Sequence, residues 1–142
     1  MLFGKRERTI RRIVIVEDEP LVAFDNEHML SDAGYEVIAT VDNLADATRV
    51  IQDSEIDLIL TDIKLSGEGD GMDVARAAAA KGVRVLFVTG HCPVEAHALG
   101  IGCLAKPYTE KMMKAALEAL DGRLQGRKLK KLPAGLSFYG QA

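Results

Sequence analysis

No stretch of this sequence approaches the roughly 20 consecutive apolar residues that a membrane-crossing helix requires. The opening MLFGKRERTIRR is basic and lacks the apolar run of a secretory signal. Cysteine is scarce: Cys92 and Cys103 are the only two, and neither stands in a CxxC or a Cys/His ligand spacing. Both are expected to be small apolar packing residues in a reduced, cytoplasmic protein. Internal repeats and low-complexity tracts are absent, and residues 122–142 contain no acid. These gaps argue against a membrane span, a secreted protein and a cysteine-held metal.

What remains is the composition of a globular chain, 48% apolar and 27% charged, with the length of one domain and short tails. The net charge of −3 hides an uneven layout: residues 1–12 carry +4 and residues 122–142 carry +5, which leaves −12 on residues 13–121. An acidic core is a poor nucleic-acid binder, so no nucleic-acid partner is expected. The two basic ends read as solvated, partly disordered tails.

Strand-like apolar runs begin near Ile13 (IVIV), Tyr35 (YEVIATV), Ile56 (IDLIL), Val83 (VRVLFV) and Cys103 (CLA). Helical patterns lie between them. Met113, Ala116, Leu117, Leu120 and Leu124 recur at helical spacing within 109–124, and Leu44, Ala47, Thr48 and Ile51 do so over a shorter span. DVARAAAAKG has high helix propensity with Gly82 placed for a C-terminal cap, and Pro20 and Gly34 bracket another helix. Only about two turns fit between Pro93 and Gly100, so a short, mobile fourth helix is expected there. Strand and helix alternate five times. That predicts an α/β fold with a five-stranded parallel sheet in the order 2-1-3-4-5 and helices on both faces.

In such a sheet, ligands bind beyond the carboxyl ends of the strands. Glu17, Asp18 and Glu19 follow the first strand and Asp62 the third; Thr89 and Gly90 follow the fourth, and Lys106 the fifth. Asp42, after the second strand, is displaced outward and is expected only to begin a helix. A single aspartate at a strand end reads as a turn residue. Several acids at one sheet edge do not, because two carboxylates about 4 Å apart repel by roughly 4 kcal/mol at an effective dielectric near 20. Glu17, Asp18 and Asp62 together need a cation or raised pKa values. Mg²⁺ suits them through hard oxygen ligands and retained waters, and it could bridge to a phosphoryl group.

The motifs VEDEP (16–20), LTDIKL (60–65), FVTGH (87–91) and LAKPY (104–108) resemble the receiver domain of bacterial response regulators, a CheY-like, flavodoxin-like fold. The resemblance covers residues 12–122, between a basic N-terminal tail (1–11) and a basic C-terminal extension (123–142). It implies that Asp62 is the phosphoacceptor, and that the partner is a sensor histidine kinase or phosphotransfer protein. It implies Mg²⁺ held by Asp18, Asp62 and the backbone carbonyl of Lys64, with Glu17 acting through water. Thr89, Gly90 and Lys106 match the phosphate-sensing positions, and the bond before Pro107 is expected to be cis. The outcome would be regulatory, through protein–protein contact, and not enzymatic turnover.

Two departures matter. Cys103 stands where receivers usually carry a switching aromatic, and Ser66 where a proline is usual. With the glycine-rich loop SGEGDGMD, these features resemble the single-domain FAT GUY subgroup, which is linked to HWE/HisKA2 kinases and general stress signalling. The resemblance moves the candidate switch to Phe87, Thr89, His91 and the short fourth helix. The roughly twenty residues after the last helix are too few for an independent output domain. A phosphate sink and an unphosphorylated scaffold remain alternatives. A haloacid dehalogenase-like phosphatase does not fit, because Lys64 occupies the position of its second acid.

Overall fold

The computed structural model describes residues 7–129 and 131–139; the basic residues Lys5, Arg6 and Lys130 lie outside the described residues. Strands β1 (Arg12–Val16), β2 (Glu36–Val41), β3 (Leu58–Thr61), β4 (Arg84–Thr89), β5 (Gly102–Ala105) and β6 (Leu136–Phe138) form one sheet in the order β2-β1-β3-β4-β5-β6. The first five run parallel, and β6 joins β5 antiparallel. The sheet is therefore six-stranded and mixed, a correction to the five parallel strands expected. LSF is too short to announce a strand by pattern; it pairs because β5 would otherwise be an open edge. Gly102 makes room for it, since a Cβ there would lie 2.5 Å from the Ser137 carbonyl oxygen.

Strand alternation divides the core into two layers. Ile13, Ile15, Leu58, Leu60, Leu86, Val88 and Leu104 face helices α1 (Pro20–Asp32) and α4 (Glu110–Leu124), meeting Met29, Leu30, Met113, Ala116, Leu117 and Leu120. Val14, Val16, Ile59, Val85, Phe87 and Cys103 face α2 (Leu44–Asp53) and α3 (Gly71–Ala80), meeting Ala47, Ile51, Val74, Ala75 and Ala78. The fourth connection, from β4 to β5, is a single 3-10 segment, Val94–Ala98, where a short fourth helix was expected.

The helix starts are specified locally. Pro20 opens α1, Asn43 caps α2, and Thr109 caps α4. Asp70 and Asp73 form a reciprocal capping box on α3. Asn43, and not Asp42, supplies the α2 cap. The described part of the N-terminal segment is anchored: the Asp121 carboxylate accepts from the Thr9 and Ile10 N–H groups at 2.7 and 2.8 Å, and Ile10 is buried.

The two cysteines form a disulfide, with Cα atoms 6.4 Å apart. This corrects the reading of them as separate packing residues. Neither pattern nor spacing signalled the pairing; it arises because β4 and β5 lie side by side, which returns the loop after β4 over β5. Gly102→Ala is expected to lower stability by about 1–3 kcal/mol in urea unfolding, because the β6 backbone must give way. Exchange protection should be lost first at residues 136–139.

Candidate functional site

The carboxyl ends of β1, β3, β4 and β5 meet at one sheet edge. The Asp62 N–H donates to the Val16 carbonyl at 3.1 Å, which holds the β3 end against β1. Likewise the Lys106 N–H donates to the Thr89 carbonyl at 2.9 Å, which sets the β5 end against β4. Gly71 is required beneath the site. Its N–H donates to the Ile63 carbonyl at 2.6 Å, and a Cβ at this position would overlap the Asp62 carbonyl.

Lys106 lies at the centre. Its Nζ donates to Asp62 Oδ2 at 2.8 Å and Glu17 Oε1 at 2.9 Å, with Glu19 Oε1 at 3.5 Å. Glu17 Oε2 accepts from the Glu19 N–H at 3.1 Å, and Asp62 Oδ1 accepts from the Ile63 N–H at 2.6 Å. Carboxylate oxygens of Glu17, Glu19 and Asp62 lie within 4.8 Å of one another. Asp18 turns to the Ser66 hydroxyl, which donates to Oδ2 at 3.5 Å. Lys64 is exposed. Thr89 is buried, and its hydroxyl oxygen accepts from the His91 N–H at 3.5 Å; Gly90 and His91 are exposed. The Lys106–Pro107 bond is cis.

Electrostatics follow from this crowding. Burial pushes the Glu17 carboxyl above its ordinary 4.5, against the opposing pull of Lys106. Burial alone would lower the Lys106 pKa, but hydrogen bonds to Asp62 and Glu17 outweigh it and raise the ammonium above its usual value. Three carboxylates against one ammonium leave a local excess of negative charge. This donor set of hard oxygens fits a divalent cation such as Mg²⁺.

The strands bring together Glu17, Asp62, Thr89 and Lys106. Sequence reasoning assigned no role to Glu19, Ser66 or Gly71. Glu19 was visible in VEDEP, but only the turn into α1 shows that it faces Lys106. Among the candidate switch residues, Phe87 is wholly buried on β4 and packs over Gly100, where a Cβ would lie 2.6 Å from its ring. Cys103 is wholly buried and bonded to Cys92. Beside the site, a cleft of about 900 Å³ runs between α1 and the start of α4, lined by Val22, Phe24, Asp25, Met29, Lys106, Pro107 and Tyr108. The Tyr108 hydroxyl donates to buried Asn26 at 2.9 Å and fastens the two sides.

A family model described as the response regulator receiver domain matches residues 13–118. The chain is 32% identical over 78 residues to the transcriptional regulatory protein PdtaR of Mycobacterium tuberculosis, covering 55% of this chain and 38% of PdtaR. It is 33% identical over 81 residues to the phyllosphere-induced regulator PhyR of Methylorubrum extorquens, covering 56% of this chain and 30% of PhyR. The chain thus spans well under half of either relative. The signal receiver domain of a modulated diguanylate cyclase from Desulfovibrio desulfuricans superposes with a TM-score of 0.71 at 30% identity, over 82% of this chain and 97% of that one. The receiver domain of a sensor histidine kinase from Pseudomonas aeruginosa superposes with a TM-score of 0.68 at 26% identity, over 79% and 98%; a magnesium ion is coordinated in its active-site cleft.

Two outcomes are expected. Mg²⁺ at tenfold its Kd should stabilise the protein by about 1.4 kcal/mol, read as a rise in Tm. The raised Glu17 pKa means that the folded protein takes up a proton there at pH values above 4.5, where the unfolded chain is still ionised. In the metal-free protein this stabilising contribution is present below 4.5 and lost as pH rises through the folded pKa. Mg²⁺ affinity has the opposite sign, falling as pH drops through that same window. Calorimetric titration should show this fall, and Glu17→Gln should flatten it.

Proposed function

This chain belongs to the response regulator receiver domain family, and on that basis we propose that Asp62 accepts a phosphoryl group from a sensor histidine kinase or phosphotransfer protein. The observation that carries the reading is the bond from Lys106 Nζ to Asp62 Oδ2 at 2.8 Å, at the meeting point of four parallel strand ends. An ammonium bonded to a carboxylate at that edge supports reading Asp62 as the nucleophile and Lys106 as the cation that meets the phosphoryl group.

In the step, an Asp62 carboxylate oxygen bonds to phosphorus as the bond from phosphorus to the donor imidazole nitrogen breaks. The ammonium of Lys106 pairs with a phosphoryl oxygen, the Thr89 hydroxyl donates to another, and the Gly90 N–H helps hold the group. Asp18, Asp62, the Lys64 carbonyl and Glu17 would hold Mg²⁺, whose chemistry is neutralisation of charge on the transferred group. The product carries a charge near −2, and Thr89 and the loop after it respond.

The apolar rim of the cleft beside Lys106 suits docking of the phosphodonor protein: Leu21 and Phe24 are 79% and 60% exposed on α1 next to it. FVTGH and the likeness to PhyR support an HWE/HisKA2-type kinase and a stress-signalling role in the cytoplasm, with the output delivered by protein contact. The same residues in a phosphate sink would drain a kinase without an output.

Intact-protein mass after treatment with acetyl phosphate and Mg²⁺ tests the reading. One phosphoryl adduct is expected, absent in Asp62→Asn and without Mg²⁺. Failure with acetyl phosphate and with the cognate kinase alike would favour an unphosphorylated scaffold. Leu21→Arg should slow transfer from the kinase roughly tenfold or more, as loss of an interface anchor does, while leaving the acetyl phosphate rate unchanged.

A further inference from the structure

The disulfide joins the two chain segments that carry the proposed phosphate sensors. Cys92 lies three residues beyond Thr89, and Cys103 three residues before Lys106. The ring it closes contains Pro93, the 3-10 segment Val94–Ala98 and Gly100. Between its ends the ring is held by Leu99 against the core, by Phe87 over Gly100 and by His97 stacked on Tyr139. Its outer part is open all the same: Gly90, His91, Val94, Glu95, His97 and Ala98 are all exposed, Val94 by 78%, and among residues 90–98 Ala96 alone is buried. A segment with so few buried contacts opens locally at low cost, so a covalent tether weighs heavily there. The halves of the bond differ: Cys103 is wholly buried with Phe87 and Ala96, whereas Cys92 is half-buried. Of the two residues only Cys92 offers surface to solvent, which makes it the side open to an attacking thiolate.

We propose that Cys92–Cys103 is a reversible thiol–disulfide site that clamps the loop following Thr89 and thereby limits phosphorylation of Asp62. The proposal rests on the receiver reading above. In the reducing compartment which that reading requires, a disulfide is a transient, responsive group and not a structural staple. Reduction by glutathione proceeds by thiolate attack on Cys92 Sγ, which breaks the protein S–S bond, frees the Cys103 thiol and leaves a mixed disulfide. A second glutathione resolves it, so that two protein thiols and one glutathione disulfide result. Oxidation by hydrogen peroxide converts the Cys92 thiol to a sulfenic acid with release of one water. The Cys103 thiol then condenses with it, forming the disulfide and a second water.

The coupling to phosphorylation follows from the population of the reactive conformer. If Asp62 is phosphorylated through the conformer in which the loop after Thr89 is displaced, a bond that opposes displacement shrinks the competent population and slows the reaction by the same factor.

The full chain, treated with peroxide or with a phosphine reductant, decides the matter alongside Cys92→Ser. Maleimide labelling after denaturation should find no thiols in the first sample and two in the second. Hydrogen exchange over residues 90–101 should be roughly tenfold faster in the reduced protein, as expected of a locally released segment, with β1 and β3 unchanged. With acetyl phosphate and Mg²⁺, the reduced protein should gain its Asp62 adduct roughly tenfold faster, within the usual range of allosteric coupling. Cys92→Ser should behave as reduced in both treatments, which removes effects of peroxide on methionine. Two thiols persisting after peroxide, or equal exchange, would overturn the site. Equal adduct rates in forms that differ in exchange would overturn the gating alone. No adduct in any form would overturn the phosphoacceptor reading and the gating with it, whatever the exchange shows.

Discussion

The ammonium of Lys106, held between Asp62 and Glu17, is the interaction on which the site depends. Without it, a buried glutamate and an aspartate would face each other beside Glu19 with no compensating charge. Each such pair at about 4 Å costs roughly 4 kcal/mol at an effective dielectric of 20. Lys106 can occupy that position because its backbone is tied to the Thr89 carbonyl and the next loop is fastened to α1 through Tyr108 and Asn26. Asp62 is fixed just as firmly, from β1 through its N–H and from beneath by the approach of α3 at Gly71.

One ammonium does not balance three carboxylates, and the imbalance gives the site its chemistry. Glu17 answers it by a raised pKa, and a divalent cation would answer it more fully. On the proposed reading, a phosphoryl group on Asp62 would redistribute the charge again, drawing Lys106 away from Glu17.

The other side of the sheet carries the departures from a plain receiver. Phe87, Ala96, Cys103 and Tyr139 share one layer of the core. Tyr139, just past β6, stacks on His97 of the 3-10 segment with ring centroids 4.2 Å apart, while Phe138 of β6 lies on the opposite face beneath the Arg123 guanidinium. The edge of β5, which would otherwise be open, is thus closed by the chain's own C-terminal residues. Motion of the 3-10 segment and seating of β6 are mechanically connected through that stack.

Much of the fold was legible because it rests on local rules. Periodicity marked the helix at 109–124, Pro20 and Gly34 bracketed α1, and near-continuous apolar runs marked strands covered on both faces. The strand-end rule was enough to put Glu17, Asp62, Thr89 and Lys106 at one edge, since a parallel sheet sends every strand the same way. Asp42 misled as a helix start because Asn43 beside it is an equally good cap, and only the backbone geometry chooses between them. The three residues of β6 carried no period, and its place depends on a vacant edge and on Gly102 leaving space. Nothing in an eleven-residue separation announced a bond between Cys92 and Cys103. The sequence by itself determined the alternation of elements, the two-layer core and the identity of the charged groups at the strand ends, because these follow from side-chain period and chain direction. Tertiary structure alone decided which carboxylates face Lys106, which edge is closed and which sulfurs meet, because each of those depends on distances between segments that are remote along the chain.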